Sequence, residues 1–166
     1  MTGTTHMAVG ANAAWIAMFF GLTDERVIPL VFVGAIAGLL PDIDASAAKI
    51  HFIGGGLLGA FRGIMKHRGF MHSFLVLGIL SVVSYIFLRR FHPFVPLVFG
   101  LGYLSHLVID GFNFAGVPYL FPLKKKYHLM PKILRTPIKG IVDQLFLILG
   151  LLGIVLFFLV YNENRY

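Results

Sequence analysis

Four short segments carry the groups able to do chemistry: Thr5-His6, Pro41-Asp42-Ile43-Asp44, His67-Arg68-Gly69-Phe70-Met71-His72-Ser73, and Ser105-His106 with Asp110. Imidazole and carboxylate are nitrogen and oxygen ligands for a divalent metal, and a guanidinium is a rigid fork for phosphate oxygens. The chain has no cysteine, so thiolate metal sites, disulfides and cysteine nucleophiles are excluded. His106 and Asp110 are four residues apart on an expected helix, which sets both side chains on one face a turn apart, toward one metal or two adjacent ones. Asp42 and Asp44 flank Ile43, and carboxylates this close repel unless a cation or a shared proton neutralises one of them. Either can be a metal ligand while the other acts as a base or as a partner to a histidine. His67 and His72 bracket Arg68 and Gly69 directly before an apolar run. Imidazoles, a phosphate fork and a close-approach glycine thus share one short segment.

The elements that must position these groups are apolar. Of 166 residues, 58% are apolar and 13% charged, and the apolar residues fall in separate runs. That is the composition of an all-α, polytopic membrane protein forming a single unit over residues 1–166. About five transmembrane helices are expected, at roughly 7–22, 27–41, 73–88, 94–110 and 140–161, of which the last alone reaches the usual span of ~20 residues. No Lys or Arg occurs before Trp15, so the first run reads as a retained helix and not as a secretory signal. Thr23 to Arg26 makes the first turn, and Arg89-Arg90 with Pro93 separates the third and fourth runs. Pro118, Pro122, Pro131 and Pro137 keep 111–139 from becoming one helix. Lys49 to Lys66 suits a short amphipathic helix at the surface. Gly34 and Gly38, four apart, mark a place where two helices approach closely.

Charge gives the orientation. With five spans, the N-terminus and the 42–72 and 111–139 loops share a face carrying ten Lys and Arg, against four on the other. The positive-inside rule makes the richer face cytoplasmic. The same arrangement brings all four polar motifs to that face. His92 falls on the opposite face, His51 has no comparable company, and His128 is a further candidate for a metal shell. Asp143 reads as a charge at a helix N-terminus.

Taken together and in this order, the four motifs resemble the YdjM-like family of membrane-bound, metal-dependent hydrolases over residues 5–110. That family is in turn distantly similar to the bacterial zinc-dependent phospholipase C and fungal single-strand nuclease superfamily. The resemblance implies metal ligation by His6, an aspartate of the 42–44 pair, His67 or His72, His106 and Asp110. It implies a divalent cofactor, zinc by analogy, as one to three ions. It also implies cleavage of a phosphate ester by metal-activated water; a site at the lipid interface favours a phospholipid or an isoprenoid phosphate, with soluble nucleotides as a further class. The full candidate shell is His6, Asp42, Asp44, His67, His72, His106 and Asp110, with Asp44 also a candidate base and Arg68 the catalytic and substrate-binding cation. The expected partners are membrane lipid and a phosphate-bearing substrate, with no nucleic acid, in a bacterial or archaeal plasma membrane. Two other classes compete: a transporter or ion relay using the His/Asp cluster, and a non-catalytic membrane scaffold. A relay would spread polar residues through the span middles, whereas residues 145–160 are wholly apolar.

Overall fold

The computed structural model describes residues 1–22, 25–42, 69–123 and 125–163. Asp44, His67, Arg68, His51 and the surface helix expected over 49–66 lie outside the described residues.

Among the described residues the chain is all-helical, with two isolated backbone bridges and no strand. Helix α1 (Gly3–Ala11) runs through a 3₁₀ turn, Asn12–Ala14, into α2 (Trp15–Phe19). Then come α3 (Ile28–Leu39), α4 (Phe74–Leu88), α5 (Val95–Asp110) and α6 (Ile141–Glu163). Their starts follow local chemistry. Thr2 caps α1 and Ser73 caps α4 through side-chain oxygens, while α3 and α5 open with proline in the first turn, where a missing N–H costs nothing.

Of these helices, α6 is long and apolar enough to cross a membrane: its 23 residues rise ~34 Å against a hydrocarbon core of ~30 Å. Helices α3, α4 and α5 are apolar but shorter, at 12, 15 and 16 residues. Four of the expected runs thus appear as helices at the expected places, and the first, expected over 7–22, appears as two short helices that begin earlier, at Gly3. Length alone qualifies one of them as a span.

The bundle is organised around α1, which packs against α3, α5 and α6, while α3 and α4 each pack against α5. Glycines set the closeness of this packing. A Cβ on Gly38 would lie 2.5 Å from the His6 carbonyl oxygen, and one on Gly10 or Gly102 would lie 2.5 Å from that of Gly34. Backbone therefore touches backbone where α1, α3 and α5 meet, as the Gly34/Gly38 spacing foretold. Beyond that contact, one end of the bundle is filled by an apolar core of Ala14, Ala17, Val27, Leu30, Val98 and Phe157. Among its described residues the connection from Gly111 to Gly140 is irregular, with a single 3₁₀ turn at Lys132–Leu134.

Candidate metal centre

Four segments deliver side chains to one point. His6 lies on the second turn of α1, and Asp42 closes the 3₁₀ turn Leu40–Asp42 that ends α3. His72 sits in the turn ahead of α4, and His106 and Asp110 lie one turn apart at the end of α5. His6 and His106 are fully buried and their rings stack, with centroids 3.5 Å apart.

The donor atoms converge. His6 Nε2 is 3.2 Å from Asp110 Oδ1 and 3.9 Å from Asp42 Oδ2. His72 Nε2 lies 3.6 Å from Asp42 Oδ1 and 3.7 Å from Asp110 Oδ2, and His106 Nε2 lies 3.8 and 3.6 Å from the same two oxygens. The two ε nitrogens of His72 and His106 are 3.3 Å apart. The Met1 amino nitrogen also reaches Asp110 Oδ1. Two tight triads result, His6/Asp42/His106 and His72/His106/Asp110.

One tautomer is settled by the fold. His106 Nδ1 lies 2.7 Å from the Gly38 carbonyl oxygen, which can only accept, so Nδ1 donates and, in the neutral ring, the Nε2 lone pair faces the cluster. A carbonyl that fixes a histidine ring from behind is the usual companion of a metal ligand. The Gly38 backbone thus has two tasks, close packing against α1 and orientation of His106.

His6 is the least satisfied member of the cluster, and His72 Nδ1 is also buried without a hydrogen-bond partner. Both ring nitrogens of His6 are buried without a hydrogen-bond partner, and Asp110 Oδ1, though near, is out of alignment. A buried polar group left unpaired costs about 1–3 kcal/mol, so the cluster is poorly satisfied by protein atoms alone. The donors suit a cation instead. With metal–ligand bonds of about 2.0–2.1 Å, tetrahedral geometry sets neighbouring donors about 3.3 Å apart, close to the separations found here. The set is imidazole and carboxylate only, as zinc and other borderline divalent metals accept.

Supporting groups hold the four segments in place. Asp143, buried in the first turn of α6, accepts from Thr5 Oγ1 at 2.6 Å, Thr2 N at 3.2 Å and Lys139 N at 2.9 Å. It ties the start of α6 to the turn of α1 that carries His6. The sequence marks Asp143 as a helix N-terminal charge, which the Lys139 contact bears out; its grip on Thr2 and Thr5 had no sequence signal beyond an acid in an apolar helix. On the other side, Tyr103 donates its hydroxyl to the Met71 carbonyl, and Phe74 N donates to the Tyr119 carbonyl at 2.9 Å, fixing the turn of His72. Tyr119 in turn donates its hydroxyl to the Leu107 carbonyl at 2.9 Å. Burial and the nearby Asp110 carboxylate push its hydroxyl up to about 12, so it remains a donor at any physiological pH.

Of the expected shell, five members come together: His6, Asp42, His72, His106 and Asp110. Asp44 and His67, with Arg68, lie outside the described residues. His128 does not join the cluster; its Nε2 lies 3.2 Å from the Phe114 carbonyl oxygen, against Gly116. His92, before α5, accepts from Phe94 N at 3.3 Å.

Comparison with known proteins agrees with the family resemblance. The chain is 28% identical over 122 residues to the uncharacterized protein YvsG of Bacillus subtilis (strain 168), covering 74% of each chain. It is 37% identical over 97 residues to the inner membrane protein YdjM of Escherichia coli (strain K12) and to that of Shigella flexneri, over 55% of this chain and 48% of theirs. The matched part thus spans about half the length of those two relatives. No solved structure matches. The family described as YdjM inner membrane protein matches residues 1–166, and the chain belongs to that family.

Proposed function

We propose that the protein is a membrane-bound, metal-dependent hydrolase that cleaves a phosphate ester, with its metal centre at the cytoplasmic face. The observation that carries this reading is the convergence of three imidazoles and two carboxylates on one point, with His6 left unpaired there. Metal ligation would fall to His6, Asp42, His72, His106 and Asp110. Because the Nε2 lone pair of His106 serves only one ion, the two triads cannot each bind a full metal through it. A single ion held by these residues, or two ions sharing them, would satisfy the set. Such an ion supplies an activated water near neutral pH and a positive charge for a phosphoryl oxygen. The protein's own part is to hold the His106 ring by the Gly38 carbonyl and the turn that carries His6 by Asp143, and to bury His6 and His106 away from competing water.

The membrane arrangement belongs to the same proposal. Helices α1–α2, α3, α4 and α5 join α6 in the bilayer, as five crossings. Support comes from their outward faces: Phe32 and Ile36 on α3 and Val82 and Ile86 on α4 are about 60% exposed, a density of apolar surface suited to lipid. The ten basic residues on the face of the site support a cytoplasmic orientation. Substrates borne by lipid, a phospholipid or an isoprenoid phosphate, suit a site at that depth.

The test is elemental analysis of protein purified without chelator, beside a His106→Ala/Asp110→Ala variant. Stoichiometric zinc, manganese or a similar divalent metal in the parent and less than about a tenth of it in the variant is expected, since the change removes two of five donors. A metal-free parent would sink the reading. Release of phosphate from lipid phosphates then tests the reaction, and ion flux without hydrolysis would favour the relay class instead.

A further inference from the structure

Residues 125–141 carry Lys125, Lys126, Lys132, Arg135 and Lys139 and no acidic residue. Among these cations stand strongly exposed apolar side chains: Ile133 is 90% exposed, Ile141 85% and Ile138 60%. The segment is nevertheless ordered against the end of α5. Val117 and Tyr127 exchange both backbone hydrogen bonds at 2.9 Å, Leu129 N donates to the Gly111 carbonyl at 2.8 Å, and Thr136 pairs with Phe112 and Phe114. It is an irregular platform, held in shape, that shows isoleucine and lysine outward.

Its position limits where it can sit. Ile141 begins α6, the helix long enough to cross the hydrocarbon, so the preceding residues lie at the bilayer boundary. Irregular backbone is not tolerated facing lipid tails, which keeps the platform out of the hydrocarbon itself. Bare isoleucines disfavour the aqueous phase equally. The layer that satisfies both is the headgroup region, where apolar side chains reach the acyl boundary and lysines meet phosphates. Tyr127, with the Lys125 ammonium 5.5 Å above its ring, is a residue type favoured at that depth.

We propose that the 125–141 platform seats on an anionic bilayer surface, with Ile133 inserted to the acyl boundary and Lys125, Lys126 and Lys132 on lipid phosphates. The inference rests on the membrane location and not on the metal centre, so a metal-free protein would leave it standing. The platform borders the site through Gly111, next to Asp110. A lipid-borne anionic ligand would be gathered beside the metal cluster.

The chain lacks cysteine, so an Ile133→Cys variant takes one environment-sensitive fluorophore. The full-length protein is reconstituted in nanodiscs of phosphatidylcholine with or without phosphatidylglycerol, each with brominated tails as quenchers. A Leu152→Cys label on α6 reports proper insertion. The expected result is quenching at Ile133 that is stronger with phosphatidylglycerol, and that falls by about a factor of two or more in a Lys125→Gln/Lys126→Gln/Lys132→Gln background. An Ile133 label open to aqueous iodide and untouched by brominated lipid, while Leu152 is quenched, would overturn the proposal. So would quenching indifferent to phosphatidylglycerol and to the lysines, or shielding from both quenchers that follows protein density, which marks a second copy.

Discussion

The two ends of this bundle are built on different principles. At the end formed by Ala14, Ala17, Val27, Leu30, Val98 and Phe157, small and branched apolar groups fill space, and Trp15 packs edge to face on Phe157 with centroids 5.4 Å apart. At the other end the same helices deliver His6, Asp42, His72, His106 and Asp110 to a point, where shape matters less than the direction of lone pairs. The six core side chains of the apolar end carry no polar atom to satisfy. The polar end leaves His6 unpaired and sets carboxylates and imidazoles close together, which a cation would reconcile. The lesson is that one end supplies stability and the other spends it on a binding site.

That contrast can be broken by substitution, and the largest effect is expected where the two ends share a device. Gly38→Val places a side chain against the His6 carbonyl, and overpacking of this kind costs about 1–3 kcal/mol. Because Gly38 also orients His106, thermal unfolding in detergent and metal content should fall together; retained metal in a destabilised protein would separate the tasks. Next comes Asp143→Ala, which strips the Thr5 hydroxyl and the Lys139 N–H of their acceptor at a cost of about 1–3 kcal/mol. Since it holds the turn of His6, metal affinity is expected to weaken by about 10-fold or more, as for other groups behind a ligand, when titrated with zinc against a competing chelator. Asp143→Asn, which can keep the acceptor for Thr5 and Thr2 but turns an amide NH₂ toward the Lys139 N–H, should recover only part of that affinity.

Val98→Ala should do the opposite. It opens a cavity in the apolar end, lowering stability by about 1–2 kcal/mol with metal content unchanged. Loss of metal there would mean that the two ends are mechanically coupled. The smallest effect is expected for His128→Ala, about 0.5 kcal/mol or less with full metal content, because its ring meets only a loop carbonyl. A drop in metal would place His128 in the shell after all.

Much of this was legible in the sequence because hydrophobic runs and their breaks are local signals. The runs before Asp42 and Asp110 and the prolines after residue 117 located α3, α5 and the irregular connection to within a few residues. Chemistry was legible for the same reason: a histidine and an aspartate four apart, or Asp42 beside Pro41, need only local spacing to be noticed. His128 was a further candidate on those terms, ranked behind His72. What separated them was the turn pinned by Tyr103 and Tyr119, contacts between residues distant in the chain.

By itself, then, the sequence determined the helical class, the order of the elements and the residue types available for a metal. Local propensity and side-chain chemistry act over a turn or two and need no partner. Only the tertiary structure decided that Gly38 turns the His106 ring, that Asp143 reaches back across the chain to Thr2 and Thr5, and that His6 is left without a bond. Those outcomes depend on the angle and distance at which α1, α3, α5 and α6 meet. Packing of distant segments sets that geometry, and no local pattern encodes it.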